Sequence, residues 1–346
     1  MTTGRGEAGG FTGLDWVRDQ FLTKVGIDPY PGTVNLLLDT ESARADWLAL
    51  QSQPASVIEP PGAEWCRARC YPVRLDGTLP AAIVLPEVPG YPTAQVEIIA
   101  ALPVRHTLGI ADGDRVVVEA CPPLAVRAAI FDVDGTLVDS LPAFRIVAER
   151  AAAPYGLTIE EAHVKEALNT NCSFWDLAVP ATCANRAATM DALSSETARL
   201  WREVVQEHAQ VFPEVGPLLQ QLHRRGVKLG IVTGSRGATL WPLQAAGLMD
   251  LFEHVVTGDH VERKKPDPEG LVRCASALQV APAETAYVGD TPLDVRAARG
   301  AGMWAVGVLG GAGDSALLTA CGADRLVGRR RHLLEVLCVT AAPFRP

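Results

Sequence analysis

Two aspartates two residues apart, Asp132 and Asp134, end an apolar run, Ala129-Ile130-Phe131, and are followed at once by Gly135-Thr136. A carboxylate can attack phosphorus and divide hydrolysis into two easier steps through an aspartyl-phosphate, while a second acid two residues on protonates the leaving oxygen. Taken alone, the stretch reads equally well as an Asp-Gly turn closing a strand. Three later runs extend the chemistry. Ile231-Val232-Thr233-Gly234-Ser235 ends in a hydroxyl and a glycine suited to a phosphoryl oxygen, through side chain and backbone. Lys264-Lys265-Pro266-Asp267-Pro268 offers a cation on a loop stiffened by prolines, and Val288-Gly289-Asp290-Thr291-Pro292-Leu293-Asp294 adds two more carboxylates. Magnesium prefers carboxylate oxygens and keeps several waters, so Asp132, Asp290 and the backbone carbonyl of Asp134 form a plausible site for it.

These groups need a frame that brings distant residues together. Apolar runs at 128–133, 229–233, 254–257, 286–289 and 304–308 alternate with segments of helical pattern, which implies a parallel sheet covered on both faces. Open sheets of this kind place their sites at the carboxyl ends of the strands, where each of the four motifs falls. Between the first and second strands lies an insertion of helical pattern, roughly residues 141–212, placed as a cap over that sheet edge.

The four motifs FDVDGT, IVTGS, KKPDP and GDTPLD, in this order, resemble those of the haloacid dehalogenase superfamily of phosphohydrolases over roughly residues 128–338. The resemblance implies an α/β Rossmann-like fold with Asp132 as nucleophile, Asp134 as general acid and base, and Thr233 and Lys265 as phosphoryl binders. It makes Asp290 a metal ligand, Asp294 an outer-shell or metal-site carboxylate, and Mg2+ the cofactor. Both Lys264 and Lys265 are candidates for the phosphate, and the Lys-Pro pairing of the family favours Lys265. An aspartate two residues after the nucleophile favours phosphate ester hydrolysis over carbon-halogen cleavage. The insertion is similar to the helical cap of the phosphoglycolate-phosphatase-like group, which closes over small substrates. Asn169, Asn171, Trp175 and Arg186 are the polar or aromatic cap residues considered for substrate choice.

The first 122 residues have a different rhythm. Short apolar or β-branched runs at 66–74, 81–85, 94–101 and 115–119, separated by Asp-Gly and Pro-Gly turns, predict a mostly β domain. An amphipathic stretch, Leu14 to Val25, packs against it. The Cys121-Pro122-Pro123 interruption sets the expected boundary, with domains at 1–122 and 123–346. A proline-rich turn, Pro29-Tyr30-Pro31-Gly32, leads into a strand whose first polar groups, Thr33 and Asn35, share one face. The alternative is that those side chains satisfy the turn's own backbone. The amino terminus, Gly4-Arg5-Gly6-Glu7-Ala8-Gly9-Gly10, is glycine-dense enough to approach a phosphate or simply to be flexible. No Walker motif occurs and Lys24 is the one lysine before the linker, which excludes an ordinary P-loop kinase.

Together with Val96-Glu97-Ile98-Ile99-Ala100 and Asp112-Gly113-Asp114-Arg115-Val116, these features resemble the archaeal-type CTP-dependent riboflavin kinases over about residues 4–120. The likeness implies a small cradle-loop β-barrel that uses CTP as phosphate donor. It places Thr33 and Asn35 on magnesium beside the nucleotide phosphates, Gly4, Gly6 and Ala8 in a nucleotide-side loop, and Glu97 in the site without a stated role.

The expected protein is therefore a bifunctional enzyme: a phosphatase acting on a small phosphate ester, joined to a kinase of riboflavin or a related polyol, which makes FMN from riboflavin. The alternatives are a phosphatase with a non-catalytic nucleotide- or ligand-binding first half, and a kinase and phosphatase serving a specialised, non-flavin route. Composition limits the partners. The net charge is −9, with 9 basic against 15 acidic residues up to Cys121 and 22 against 25 afterwards, so neither half has the positive excess that phosphate backbones require. Nucleic acid is not expected as a partner. No run approaches the roughly 20 apolar residues of a membrane span and the polar start is unlike a signal peptide, so membrane is excluded and the cytoplasm is the expected compartment. The eight cysteines are scattered and are expected as reduced thiols. The basic run Arg329-Arg330-Arg331 is expected as the solvated edge of a final helix.

Overall fold

The computed structural model describes residues 11–62, 64–121, 123–170 and 172–339. Two compact units are present: Met1–Pro123 with Ser315–Val336, and Leu124–Asp314 with Leu337–Pro346.

In the first unit, helix α1 (Asp15–Gln20) runs directly into a π-helical turn, Phe21–Val25, that ends at Gly26 in the left-handed region. Helical spacing in Leu14 to Val25 therefore produces an apolar stripe, with Val17 and Phe21 fully buried, but not one uniform helix. The sheet order is β1 (Val34–Leu37), β5 (Gln95–Ala100), β4 (Leu79–Pro86), β3 (Ala68–Leu75) and β2 (Ser56–Ile58), every pairing antiparallel, with β6 (Val118–Ala120) added to β3. The Asp76-Gly77 turn joins β3 to β4, with both residues at positive φ. Alternation along the strands buries both faces. Val73, Ile83, Val96 and Ile98 pack with Trp47 of helix α2 (Glu41–Gln51), whose ring meets Tyr71 edge-on at 5.5 Å. Cys70, Ala82, Val84 and Ile99 pack with Val17 and Phe21 on the other face. Ser315–Val336 is tied into this unit by the Arg74 guanidinium, which donates to the Asp324 carbonyl at 2.9 Å, and by the Ser315 hydroxyl, which accepts from the Asp28 amide at 3.2 Å. The arginine run differs from its expected solvated edge, since Arg330 is 7% exposed within a 3-10 turn.

In the second unit, Leu124–Val126 (β7) pairs with Leu337–Val339, ahead of a parallel run ordered β12 (His254–Val256), β11 (Lys228–Val232), β8 (Ala128–Phe131), β13 (Thr285–Gly289) and β14 (Trp304–Val308). All four residues of β8 are buried, as a strand covered on both faces demands. The chain builds outward from β8 to β11 and β12 on one side, then returns to place β13 and β14 on the other. That reversal of strand order opens a crevice at the carboxyl end of β8.

The insertion begins with β9 (Val138–Asp139), paired with β10 (Gln210–Val211). Between them, among the described residues, lie four α-helices, α3 (Leu141–Ala152), α4 (Glu161–Thr170), α5 (Phe174–Ala178) and α6 (Arg186–His208). Phe144 of α3 and Trp201 of α6 meet with ring centroids 4.6 Å apart.

Candidate active site

The ends of β8, β11 and β13 deliver the predicted motifs to one place. The Asp132 amide donates to the Val288 carbonyl, which holds the nucleophile candidate at the end of the sheet ladder. Carboxylate oxygens of Asp132, Asp290 and Asp294 lie within 4.8 Å of one another, and all three residues are buried. Lys265 enters this group from the loop after β12. Its Nζ is 2.9 Å from Asp132 Oδ1 and 2.5 Å from Asp294 Oδ1. The Asp132 oxygen lies outside hydrogen-bonding alignment, so it remains a buried acceptor without a donor. Lys264 is exposed at the mouth of the same cavity.

Each carboxylate is held differently. Asp290 accepts from the Thr136 hydroxyl at 2.9 Å and the Ala312 amide at 2.8 Å. Gly135, at φ 73°, and Gly311 make room for it, because a Cβ at either position would overlap the Asp290 carboxyl group. Asp294 forms a capping box with Thr291 at the start of helix Pro292–Gly300, accepting from the Thr291 amide and hydroxyl. Its other oxygen faces Lys265 and the Tyr287 hydroxyl. Asp134 stands apart from the other three: one oxygen accepts from Ser235 Oγ at 2.7 Å and the other from Thr239 Oγ1 at 2.8 Å. Thr233 Oγ1 accepts the Ser235 amide at 3.1 Å, which leaves the hydroxyl proton of Thr233 to donate elsewhere.

Three carboxylates and one ammonium leave an excess of two negative charges when all are ionised, on buried side chains. Burial pushes the Asp132 carboxyl well above the usual range, against the pull of Lys265, and the neighbouring aspartates push in the same direction. Asp290 is pushed up to about 7, chiefly by burial and then by Asp294. For Lys265 burial opposes the charge, but Asp132 and Asp294 outweigh it and the shift is upward. A divalent cation would cancel the excess charge and supply the missing partner of Asp132, so the donor set fits magnesium.

This charge balance gives a stability prediction with a definite sign. A carboxyl whose pKa is raised by folding binds more protons in the folded state between its unfolded value, near 4, and its folded value, so stability falls as pH rises through that window. In the presence of a chelator the protein should therefore melt several degrees higher at about pH 5.5 than at about pH 8, and magnesium should raise the melting point more at the higher pH. Thermal scans with and without magnesium at both pH values check this. Equal magnesium effects at both would contradict it.

A cavity of about 180 Å3 opens over these groups, lined by Asp132, Thr233, Lys265 and Asp290 on the sheet side and by Leu141, Ala167 and Leu168 from the insertion. Of the cap residues considered, Asn169 donates to the Ala312 carbonyl at 3.0 Å, beside the loop that holds Asp290. Trp175 is buried against Phe174, and Arg186 is bound to Val179 and Asp176, so neither lines the cavity. Asn171 lies outside the described residues. Tyr287, Thr136 and Thr239 were not singled out from sequence. A hydroxyl three residues before Asp290, in Tyr287, or six after Thr233, in Thr239, carries no special pattern, and the DGT spacing alone was available to flag Thr136.

In the first unit Thr33 precedes β1, half-buried, and Asn35 lies within it, its Oδ1 accepting from Gln95 Nε2 at 3.0 Å. Asn35 is directly opposite Glu97 in the ladder, so both side chains are on one face, and Glu97 accepts from the Tyr91 hydroxyl at 2.7 Å. Thr12 anchors the turn by accepting from the Gly32 amide. Gly4, Gly6 and Ala8 lie outside the described residues. The cysteines are free thiols, and burial pushes Cys274 up to about 12, as expected of an inert structural position. Among the described residues no helix is long and apolar enough to cross a membrane.

A family model described as haloacid dehalogenase-like hydrolase matches residues 129–308. A second model, of the CTP-dependent riboflavin kinase type and described as a domain of unknown function, matches residues 1–120. Similar curated proteins include the phosphoglycolate phosphatase of Salmonella typhi, 32% identical over 204 residues that make up 53% of this chain and 81% of the relative. That of Chromobacterium violaceum is 31% identical over 225 residues, 61% of this chain and 96% of the relative. Among solved structures, a hydrolase from Pseudomonas syringae is 26% identical with a TM-score of 0.51, covering 60% of this chain and 96% of its own. A predicted phosphoglycolate phosphatase from Haemophilus somnus, at 23% identity, a TM-score of 0.56 and coverage of 61% and 97%, shares the fold. Through residues 129–308 the chain belongs to the haloacid dehalogenase-like hydrolases, as a phosphatase of that family, and its first 120 residues match the CTP-dependent riboflavin kinase domain model.

Proposed function

We propose that the chain is a bifunctional enzyme: a magnesium-dependent phosphomonoester hydrolase working through an aspartyl-phosphate, and a CTP-dependent kinase that converts riboflavin, or a related polyol, to its phosphate. The observation that carries the hydrolase reading is the convergence of Asp132 from the end of β8, Asp290 and Asp294 from beyond β13, and Lys265 from the loop after β12.

Asp132 attacks phosphorus and the bond to the leaving oxygen breaks, while Asp134 gives that oxygen a proton; Asp134 then takes a proton from the water that hydrolyses the acyl phosphate. Ser235 and Thr239, one hydroxyl on each oxygen of Asp134, fix its orientation for both proton transfers. Thr233 and Lys265 bind the phosphoryl oxygens. Asp132 and Asp290 would hold magnesium, with Asp294 holding Lys265, and the bound ion would supply charge neutralisation for the phosphoryl group. Helices α3 to α6 serve as the cap. The space between Leu141, Ala167, Leu168 and the carboxylates suits a short phosphate ester, in keeping with the phosphoglycolate phosphatases among the relatives.

In the first unit we assign the sheet to a cradle-loop barrel, with Thr33 and Asn35 holding magnesium beside the phosphates of CTP and Gly4, Gly6 and Ala8 contacting the nucleotide. The support is the family match and the shared face of Asn35 and Glu97 at the end of an anchored Pro-Gly turn. The proposed compartment is the cytoplasm.

The test uses the full chain with magnesium. Phosphate release is measured from short phosphomonoesters, phosphoglycolate included, and CDP is measured with CTP and riboflavin. Release from none of the esters would remove the hydrolase reading. For the kinase, Thr33→Ala combined with Asn35→Ala is expected to abolish CDP formation and leave phosphate release in place. Nucleotide binding without CDP in the unmodified protein would make the first unit a binding module.

A further inference from the structure

We propose that Tyr287 is a positioning residue of the hydrolase, whose hydroxyl locks the ends of three catalytic segments into one arrangement and so keeps Lys265 beside Asp132. This rests on the hydrolase reading above and names a group that the family motifs do not contain. Tyr287 is in the middle of β13 and 1% exposed. Its hydroxyl has three polar neighbours: the Val232 carbonyl at 2.8 Å, Lys265 Nζ at 3.0 Å and Asp294 Oδ1 at 3.2 Å. These belong respectively to the residue before Thr233, to the phosphoryl-binding lysine, and to the carboxylate that holds that lysine.

A phenol has one proton and accepts through the same oxygen. The Val232 carbonyl, being the nearer acceptor, receives the proton, and Lys265 donates back to the oxygen. The bond to Val232 fixes the last peptide of β11, from which Thr233 projects. The bond from Lys265 acts on the ammonium directly. An ammonium has three N–H groups, and here Tyr287 and Asp294 take two of them from one side. Asp132 Oδ1 lies 2.9 Å from the same nitrogen, an ion-pair contact outside hydrogen-bonding alignment. Without the phenol oxygen the ammonium keeps Asp294 as its close partner, at 2.5 Å, and nothing prevents it from settling there and withdrawing from Asp132. The β11 carbonyl would at the same time lose its buried donor.

Tyr287→Phe keeps the ring and the core volume and removes only the oxygen, so the variant should fold. Its kcat is expected to fall about tenfold or more, with KM within about threefold of the unmodified chain, because misaiming a charge acts on the transition state more than on ground-state binding. Inhibition by orthovanadate, which resembles the transferring phosphoryl group, should weaken by a similar factor. In a crystal structure of the variant Lys265 Nζ should move away from Asp132. A purely structural tyrosine would lower the melting temperature and leave these three readouts unchanged well below it. Values of kcat and orthovanadate inhibition within about twofold of the unmodified chain would overturn the proposal. If the unmodified chain hydrolyses no ester, the hydrolase reading fails by itself. Orthovanadate binding and the position of Lys265 in the variant then still decide the role of Tyr287: an unmoved lysine overturns it and a displaced lysine supports it.

Discussion

Replacing Asp132 with asparagine is expected to lower phosphate ester hydrolysis by at least roughly a thousandfold, because the amide cannot form the acyl phosphate through which the reaction passes. The same change should leave the fold intact and, in a chelator, raise the melting temperature or leave it unchanged. The second expectation follows from the charge balance. Asp132 is buried beside Asp290 and Asp294 with Lys265 as the cation among them, and burial works against its ionised form. Removing that charge relieves repulsion in a low-dielectric site. Turnover assays with a short ester, together with thermal scans, separate the two effects. An enzyme that loses activity only because it unfolds would show a lower melting point. One that retained appreciable turnover would place the nucleophile elsewhere.

Lys265→Met should have the opposite effect on stability and a comparable effect on turnover. Its side chain is nearly sealed from solvent and pairs with both Asp132 and Asp294. Removing one partner of a buried ion pair leaves uncompensated charge and costs about 3–5 kcal/mol. The melting temperature of the metal-free variant should drop accordingly, and magnesium should recover part of the loss by neutralising the same carboxylates. Turnover should stay depressed by about a hundredfold or more even where magnesium restores the fold, since the phosphoryl oxygens have lost a fixed positive charge. Lys264→Met is the comparison. Lys264 is exposed, so its replacement should leave the melting temperature unchanged. Equal melting temperatures for the two variants would show that the ion pairs contribute little, and the assignment of Lys265 would fall.

Much of the hydrolase half was legible in the chain because its signals are local. A buried parallel strand is a short, fully apolar run, and β8, β11, β13 and β14 fall within a residue or two of their expected positions. The chemistry follows each strand immediately, so the order of motifs already lists the groups that the sheet collects. The first half was less legible. Helix α2, strand β2 and the π-helical turn after α1 were not anticipated, because short elements with mixed polarity are decided by the neighbours they bury against, as Trp47 is by Tyr71.

By itself the sequence determined which residues could do phosphoryl chemistry, that a parallel sheet would carry them to one edge, and that two regions of different architecture share the chain. Local apolar runs and the spacing of Asp, Thr and Lys after them contain that information. Only the tertiary structure decided how the charges are partnered: Lys265 with Asp132 and Asp294, Asp134 with Ser235 and Thr239, Asp290 with Thr136, and the Tyr287 hydroxyl between three segments. Such partners lie up to 154 positions apart in the chain. Their hydrogen bonds depend on distances and angles that strand order and packing create, and no spacing rule along the chain encodes them.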